Sequence, residues 1–597
     1  MTHPQPLSLL ASRLWQHISQ RRRRQLGLLF ILMILASFAE ILSIGAVLPF
    51  LAVLTSPSRI FDHPVAQPLI RTLGLTSADQ LLLPVTIAFG LAALIAGAIR
   101  LLLIWVSTRL SFAIGADLSL NIYRRTLYQP YLVHAARNSS EVISGVSSKA
   151  HGVVYFTLMP FLTLISSCIM LVAILIALLS VNPLIALAAF GGFGAIYGFI
   201  IWITRRRVVA NSERIAQETT QVVKTLQEAL GGIRDVLIDG TQATYCQIYQ
   251  NADLPLRRAL GDNSFIGVFP RYGMEALGMI LIAGLAFAIS QQADGVAKAI
   301  PVLGALAIGA QRLLPMLQQG YSSWSSITSG QASLQDALGL LDQPLPEYAE
   351  QPIPQPISFR QHISLNNLSF RYSPDSSWVL HNLNLDIPKG SRIGFIGATG
   401  SGKSTLLDIV MGLLQPTDGI LAVDGQPITP GNHRAWQAHI AHVPQSIFLA
   451  DSTIDENIAF GLPKDQVDHE RVHQAANRAQ IADLIESWPK KYQTFVGERG
   501  IRLSGGQRQR IGVARALYKQ ADVIIFDEAT SALDNETERN VMQAIEGLSQ
   551  DLTILIIAHR LTTLQKCDRI IELANGGVLR TGSYESMIYR PTERNEA

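Results

Sequence analysis

Six long apolar stretches fill the first half of the chain, and they decide which solvent that half folds in. A helix that crosses a membrane needs roughly 20 mostly apolar residues. Segments 26–54, 81–109, 152–180, 183–203, 264–289 and 297–317 each supply a run of that order. Beyond residue 360 the apolar runs shorten to strand length. Composition agrees: the 597 residues are 48% hydrophobic and only 16% charged, which is oily for a soluble protein. The expected organisation is a six-helix, all-α transmembrane domain over 1–340, a linker over 341–360, and a soluble domain over 361–597. Five prolines between Leu341 and Pro356 mark the linker.

Charge sets the orientation. The cluster "RRRR" at 21–24 places the N-terminus in the cytoplasm, and "RRR" at 205–207 follows the fourth segment on the same side. The inside connections 110–151 and 204–263 carry most of the arginines and lysines; the outside stretches 55–80, around Val181 and Asn182, and 290–296 carry few. The second inside connection has Val222, Val223, Leu226, Leu230 and Ile233 at helical spacing. The membrane helices are therefore expected to continue into the cytoplasm, reversing through short helices able to press on a soluble domain. A short surface helix is expected in the outer connection 55–80. Both basic clusters abut apolar runs and the net charge is only +3, so nucleic acid is not an expected partner. Cys168, Cys246 and Cys567 are too far apart for a metal or redox motif.

The soluble half alternates strands with helices. "SRIGFIGATGSGKSTLLDIVMGLL" runs strand, then Gly397-x-x-x-x-Gly402-Lys403-Ser404, then an apolar helix. Glycines let backbone N–H groups wrap a phosphate, and the helix N-terminus faces it. The cradle comprises Gly397, Thr399, Gly400, Ser401, Gly402, Lys403, Ser404 and Thr405, with Lys403 reaching the outer phosphates and the Ser404 hydroxyl suited to Mg²⁺. "ADVIIFDEATSALD" ends a buried strand in an acidic pair: Asp527 to hold Mg²⁺ through water, Glu528 to activate the attacking water. Gln445 in "HVPQSIFL" can contact metal and water, and His559 in "LTILIIAH" can hydrogen-bond the γ-phosphate. Tyr372 in "LSFRYSPDSSWVL" is an aromatic able to stack on adenine. One more element, "LSGGQ", places Ser504, Gly505, Gly506 and Gln507 at the head of a helix, an anion-binding end. Whether it closes over its own phosphate loop or another chain's is left open by the residues.

Taken in order, "GATGSGKST" at 397–405, Gln445, "TFVGERG" at 494–500, "LSGGQRQR" at 503–510, "VIIFDE" at 523–528, "SALD" at 531–534 and His559 resemble a half-size ATP-binding cassette exporter. The resemblance implies ATP and Mg²⁺ as ligands and a homodimer in which "LSGGQ" of one subunit faces the phosphate loop of the other. It also implies Glu528 as catalytic base, His559 as γ-phosphate partner, Tyr372 against adenine, and cross-talk through Ser531 to Asp534. No departure from the family pattern occurs at Lys403, Gln445, Ser504, Glu528 or His559.

Charge inside the apolar half points to cargo. Arg100, Arg271 and Arg312 lie in the second, fifth and sixth segments, toward the cytoplasmic leaflet. Each would cost about 3 kcal/mol at the membrane centre. Glu40 and Glu275 offset two of the three charges, and Arg271 and Glu275 are spaced for a pair along one helix. A spare positive charge suits an anionic headgroup. The membrane half, with "SFAEILSIGAVLPFLAVL" at 37–54 and these arginines, also resembles flippases of lipid-linked oligosaccharides. That resemblance implies a multi-pass protein of the bacterial inner membrane, its nucleotide domain cytoplasmic, moving an amphipathic or lipid-linked cargo. A general drug, lipid or peptide exporter is the alternative, followed by an ATP-gated channel or regulatory membrane protein.

Overall fold

The computed structural model describes residues 5–46, 50, 53–54, 57–62, 67, 70–71, 74–181, 183–290, 313–352, 354–528, 538–539, 551–558 and 561–588. The chain divides into two compact units, Met1–Gln129 with Arg137–Leu345, and Pro130–Ala136 with Pro346–Ala597. In chain order the helices used below are α1 (Leu7–His17), α2 (Gln20–Gly45), α3 (Leu82–Leu127), α4 (Tyr131–Ala136), α5 (Met159–Val181), α6 (Pro183–Gly231), α7 (Gln242–Ser290) and α8 (Gln331–Leu341). All but α4 belong to the first unit.

The first unit is helical throughout. At 1.5 Å per residue, α3 with 46 residues is about 70 Å long, and α6 and α7 with 49 each are slightly longer. A hydrocarbon core is roughly 30 Å thick, so less than half of each fits in it. The remainder is the expected helical continuation into water. Among the described residues, the helical stretches Gln20–Ser43, Ala78–Leu127 and Ser139–Ile176 are long and apolar enough to cross a membrane. Within the expected first segment, 26–54, α2 runs to Gly45; Phe50, Val53 and Leu54 are also helical, and 47–49 and 51–52 lie outside the described residues. Residues 297–312 lie outside the described part of the sixth segment, which resumes as a helix over 313–329.

Packing is closest where side chains vanish. A Cβ on Gly115 would stand 2.2 Å from Val154 Cγ2, and one on Gly145 would stand 2.3 Å from Leu340 Cδ1. Neighbouring helices thus approach α3 and the Ser139–Leu158 stretch closely enough that a Cβ would force the facing side chain to shift. That stretch includes two π-helical turns, Gly145–Lys149 and Val154–Leu158. One core joins α1, α2, α3 and α8 through Leu10, Leu29, Met33, Ile114, Leu158 and Leu338. A second joins α6, α7 and helix 313–329 through Phe193, Tyr197, Val208, Ile266, Met274 and Tyr321. The connection 55–80 does hold a short helix, Pro57–Phe61.

The second unit carries two sheets. Antiparallel strands β1 (His362–Phe370), β2 (Leu380–Pro388), β4 (Asp418–Val423) and β5 (Gln426–Pro427) run in the order β2-β1-β4-β5. The larger sheet, in the order β10-β9-β3-β8-β7-β6, comprises β3 (Arg392–Ile396), β6 (Ile440–Val443), β7 (Val523–Asp527), β8 (Thr553–Ile557), β9 (Arg569–Ala574) and β10 (Gly577–Gly582). All its pairs are parallel except β9 with β10. The inner parallel strands read as unbroken apolar runs because both faces are covered. Helix α9 (Lys403–Val410) follows β3, and α10 (Gly505–Lys519) precedes β7. The short α4, from the connection between α3 and α5, groups by its contacts with this unit.

Candidate nucleotide site and membrane recess

The site starts at the end of β3, where Ile393 and Phe395 are fully buried. The chain then enters a loop whose glycines have no substitute. Gly397 (φ +146°) would bring a Cβ within 2.3 Å of the Leu573 carbonyl oxygen, and Gly402 (φ +95°) within 2.7 Å of Leu380 Cδ2. Both torsions also lie where side chains are strained. The loop delivers Lys403 to the first turn of α9, 8% exposed. Its Nζ donates to the carbonyls of Gly397, 2.8 Å, and Ala398, 3.0 Å. A buried ammonium held by its own loop's carbonyls is a cation ready to exchange them for an anion. Ser401 Oγ, also buried, has no hydrogen-bond partner among the described residues. Ser404 is exposed on the same turn, while Thr405 Oγ1 is 3.1 Å from the Tyr372 hydroxyl. Tyr372 thereby reaches the loop with its ring still accessible, at 46% exposure, braced edge-on by Phe370.

The acidic end follows from sheet register. Strands β6 and β7 pair in parallel, Val443 opposite Phe526, and β7 pairs with β8, Asp527 opposite Ile557. All three strand ends therefore emerge together beside the phosphate loop, where open parallel sheets bind ligands. Gln445, two residues past β6, donates from Nε2 to Glu528 Oε2 at 2.7 Å. Glu528 adopts φ +50°, a left-handed conformation uncommon for a non-glycine residue, and its N–H donates to the Ile557 carbonyl at 3.1 Å. Hydroxyl, carboxylate and amide oxygens at Ser404, Asp527 and Gln445 form a hard donor set that fits Mg²⁺. His559, two residues beyond β8, and Ser531 to Asp534 lie outside the described residues.

Two residues at this site escaped the sequence reading. Asp408, on α9, is pushed up to about 6 by burial and by the Asp527 carboxylate. Tyr131, from α4, is raised by burial and by the Asp408 and Tyr372 charges, so this short helix brings a phenol within electrostatic reach of both. An acid inside the apolar run "STLLDIVMGLL" was the available signal for Asp408; none existed for Tyr131.

At the head of α10, Ser504 Oγ accepts from the Gln507 N–H (3.3 Å) while Gln507 Oε1 accepts from the Ser504 N–H (2.8 Å). This reciprocal capping box fixes the signature internally. It consumes Ser504's acceptor side and leaves its hydroxyl proton, with the Gly505 and Gly506 N–H groups, for another ligand. Among the described residues, no hydrogen bond joins 503–510 to the phosphate loop.

In the membrane unit, Glu40 and Arg100 are brought together. They line a recess of about 240 Å³ with Ser37, Ser107, Thr163 and Gln319. Arg100 has no hydrogen-bond or ion-pair partner among the described residues. Arg271 donates from Nε to Glu275 Oε1 at 2.9 Å along one face of α7, and neither lines this recess. Arg312 lies outside the described residues.

Known proteins match this arrangement. The family model "ABC transporter transmembrane region" matches residues 25–295, and "ABC transporter" matches 380–531. The chain is 29% identical over 517 residues to an ATP-dependent lipid A-core flippase of Cupriavidus metallidurans, covering 85% of this chain and 84% of that protein. It is 33% identical over 392 residues to the protein of the same name from Chromohalobacter salexigens, covering 66% and 67% respectively. Among solved structures, a bacterial Atm1-family ABC exporter with ATP bound shares the fold, with TM-score 0.74, 24% identity, and coverage of 95% of this chain and 96% of that one. A helical membrane region followed by a complete phosphate cradle, an acidic strand end and a capped signature, matched along the chain by these relatives, shows that it belongs to the ABC transporter family as a half-size, ATP-hydrolysing exporter.

Proposed function

We propose that this exporter turns a lipid-linked oligosaccharide or related anionic glycolipid from the inner to the outer leaflet of the bacterial inner membrane, as a homodimer with two composite ATP sites. Residues 1–340 form the membrane domain, 341–360 the linker and 361–597 the ATP-binding cassette. Within each site, Lys403 and the loop N–H groups of 397–405 hold the phosphates, Tyr372 stacks on adenine, and Ser404, Gln445 and Asp527 hold Mg²⁺. Bound Mg²⁺ neutralises charge on the outer phosphates. Glu528, held by Gln445, orients and deprotonates the attacking water, and His559 steadies the γ-phosphate. The second copy supplies Ser504, Gly505, Gly506 and Gln507.

The cargo reading is carried by one observation: Arg100, without a hydrogen-bond or ion-pair partner among the described residues, beside Glu40 in a polar recess of an apolar bundle. Lipid surroundings make such a charge costly, so a functional counter-anion is the economical explanation. The relatives' name, lipid A-core flippase, supports the same cargo class. Arg312, Arg271 and Glu275 complete the proposed charge set. The test is reconstitution in vesicles with polyprenyl-pyrophosphate glycans, a lipid A-core glycolipid, plain phospholipids and dyes. Arg100→Ala is expected to abolish cargo-stimulated ATP turnover and flipping while leaving basal turnover; equal loss of both in a folded protein refutes the assignment.

A further inference from the structure

A larger cavity, of about 740 Å³, lies where α1 meets α2, α3, the Ser139–Leu158 stretch, α5 and helix 313–329. Its wall is almost wholly apolar, with Phe30, Phe161 and Trp324 among the larger side chains. It differs in lining from the Glu40–Arg100 recess, with which it shares Met33 and Leu162, and its volume lies within the range of small-molecule sites. An apolar cavity also repels water. Gly27 faces it across open space: a Cβ there would meet nothing within 4 Å.

Two polar atoms in that wall stand without a partner among the described residues. Thr157, 7% exposed, leaves Oγ1 unbonded, and Arg23 leaves Nε unbonded although both atoms are buried. Arg23 Nη2 donates to the carbonyls of Trp15 (2.8 Å) and Gln16 (3.2 Å), fixing the guanidinium at the cavity's edge. Around it, Arg22 is paired with Asp117, while Arg21 and Arg24 are exposed and have no ion-pair partner among the described residues. An apolar space with a cluster of cations at its edge matches an amphipathic anion. Helix α1, with Leu10 and Leu14 buried and Leu9 and Trp15 exposed, has the two-sided character of a helix lying in the membrane interface.

We propose that this cavity is a resident-lipid site, taking an acyl chain of an anionic phospholipid whose phosphate rests on the Arg21–Arg24 cluster. The lipid cements α1 to the bundle and is not the transported cargo. This inference does not depend on the cargo reading, because its test measures lipid occupancy rather than transport.

The full-length protein is placed in vesicles of phosphatidylcholine with phosphatidylglycerol carrying a photoactivatable diazirine in mid-chain, and cross-linked peptides are mapped. Label is expected on the peptides bearing Phe30, Phe161 and Trp324, above the level on other exposed helix surfaces. Gly27→Leu fills the cavity and should cut that label at least about fivefold. Arg23→Ala should keep the label but lower its preference for phosphatidylglycerol over phosphatidylcholine by about fivefold, one basic residue's share of anionic-lipid attraction. Basal ATP turnover in both variants reports that they fold. Label spread evenly over the exposed helices, label indifferent to both substitutions, or Phe30 cross-linking to a second copy of the chain in place of lipid would each overturn the proposal.

Discussion

Replacing Glu528 by glutamine tests the catalytic assignment with little structural disturbance. The Gln445 amide donates to Glu528 Oε2 at 2.7 Å, and a glutamine carbonyl at 528 accepts the same bond. What is lost locally is the extra strength of a bond to a charged acceptor, about 1 kcal/mol, on a loop that the Glu528 N–H anchors to Ile557. The backbone torsion of φ +50° is equally uncommon for either residue, so the substitution adds no strain. Chemistry is another matter. A positioned general base contributes typically 10²–10⁴ in rate, and an amide cannot take the proton. Steady ATP turnover should fall by at least about 100-fold while ATP affinity stays within a fewfold of the parent. The assay is phosphate release at saturating ATP, alongside nucleotide binding at low temperature. Turnover within about tenfold of the parent, with intact binding, would mean that Glu528 is not the base.

Three further substitutions probe other parts of the site. Gly402→Ala meets Leu380 Cδ2 at 2.7 Å and the Val379 carbonyl at 3.0 Å in a left-handed torsion; ATP binding should be lost while the membrane unit still folds, and retained ATP binding would show that the loop is not the cradle. Asp408→Asn should stabilise the cassette above neutrality. A carboxyl raised from 3.8 to about 6 contributes stability that is complete below 3.8 and lost as pH rises through about 6; the full displacement sets a ceiling of about 3 kcal/mol, and partial exposure brings the expected gain to ~1–2 kcal/mol at pH 7.5, read as a rise in unfolding temperature that disappears near pH 4. Ser504→Asp preserves a good helix N-cap but puts a carboxylate where a phosphate is expected; unfolding temperature should hold while turnover collapses, and normal turnover would exclude Ser504 from the site.

Legibility followed the range of the interactions. Gly397, Gly400 and Gly402 were readable because a loop around phosphate needs torsions and clearances that glycine alone allows, and that demand is local. Gln445 and Glu528 are 83 residues apart; their meeting depends on β6 and β7 being parallel neighbours, which apolar runs suggest without fixing the order. The capping box at Ser504 and Gln507 has its trace in the sequence, a serine followed three residues later by glutamine at a helix start. Tyr131 had no such trace. Its place beside Asp408 depends on a short helix from the membrane half grouping with the second unit, a long-range contact with no periodicity of its own.

A signature that is capped from within, and among the described residues makes no hydrogen bond to its own chain's phosphate loop, bears on how ATP drives the exporter. The Ser504–Gln507 box means that ordering this helix end costs nothing further when a phosphate arrives, so its N–H groups and hydroxyl act as a preformed lid. In the composite-site reading, closure must be favoured by the difference in ATP affinity between closed and open dimers, since equal binding to both shifts nothing. Moving the pair from 1:99 to 99:1 takes a differential of about 5.5 kcal/mol. The lid's dipole and charge-assisted bonds supply about 1–3 kcal/mol at one phosphate, which falls short alone and approaches the requirement when two sites act together. A single occupied site therefore leaves the dimer largely open, and turnover should rise with more than first-order dependence on ATP at low concentration. That dependence is a property of two identical lids, and it vanishes if each Ser504 serves its own chain.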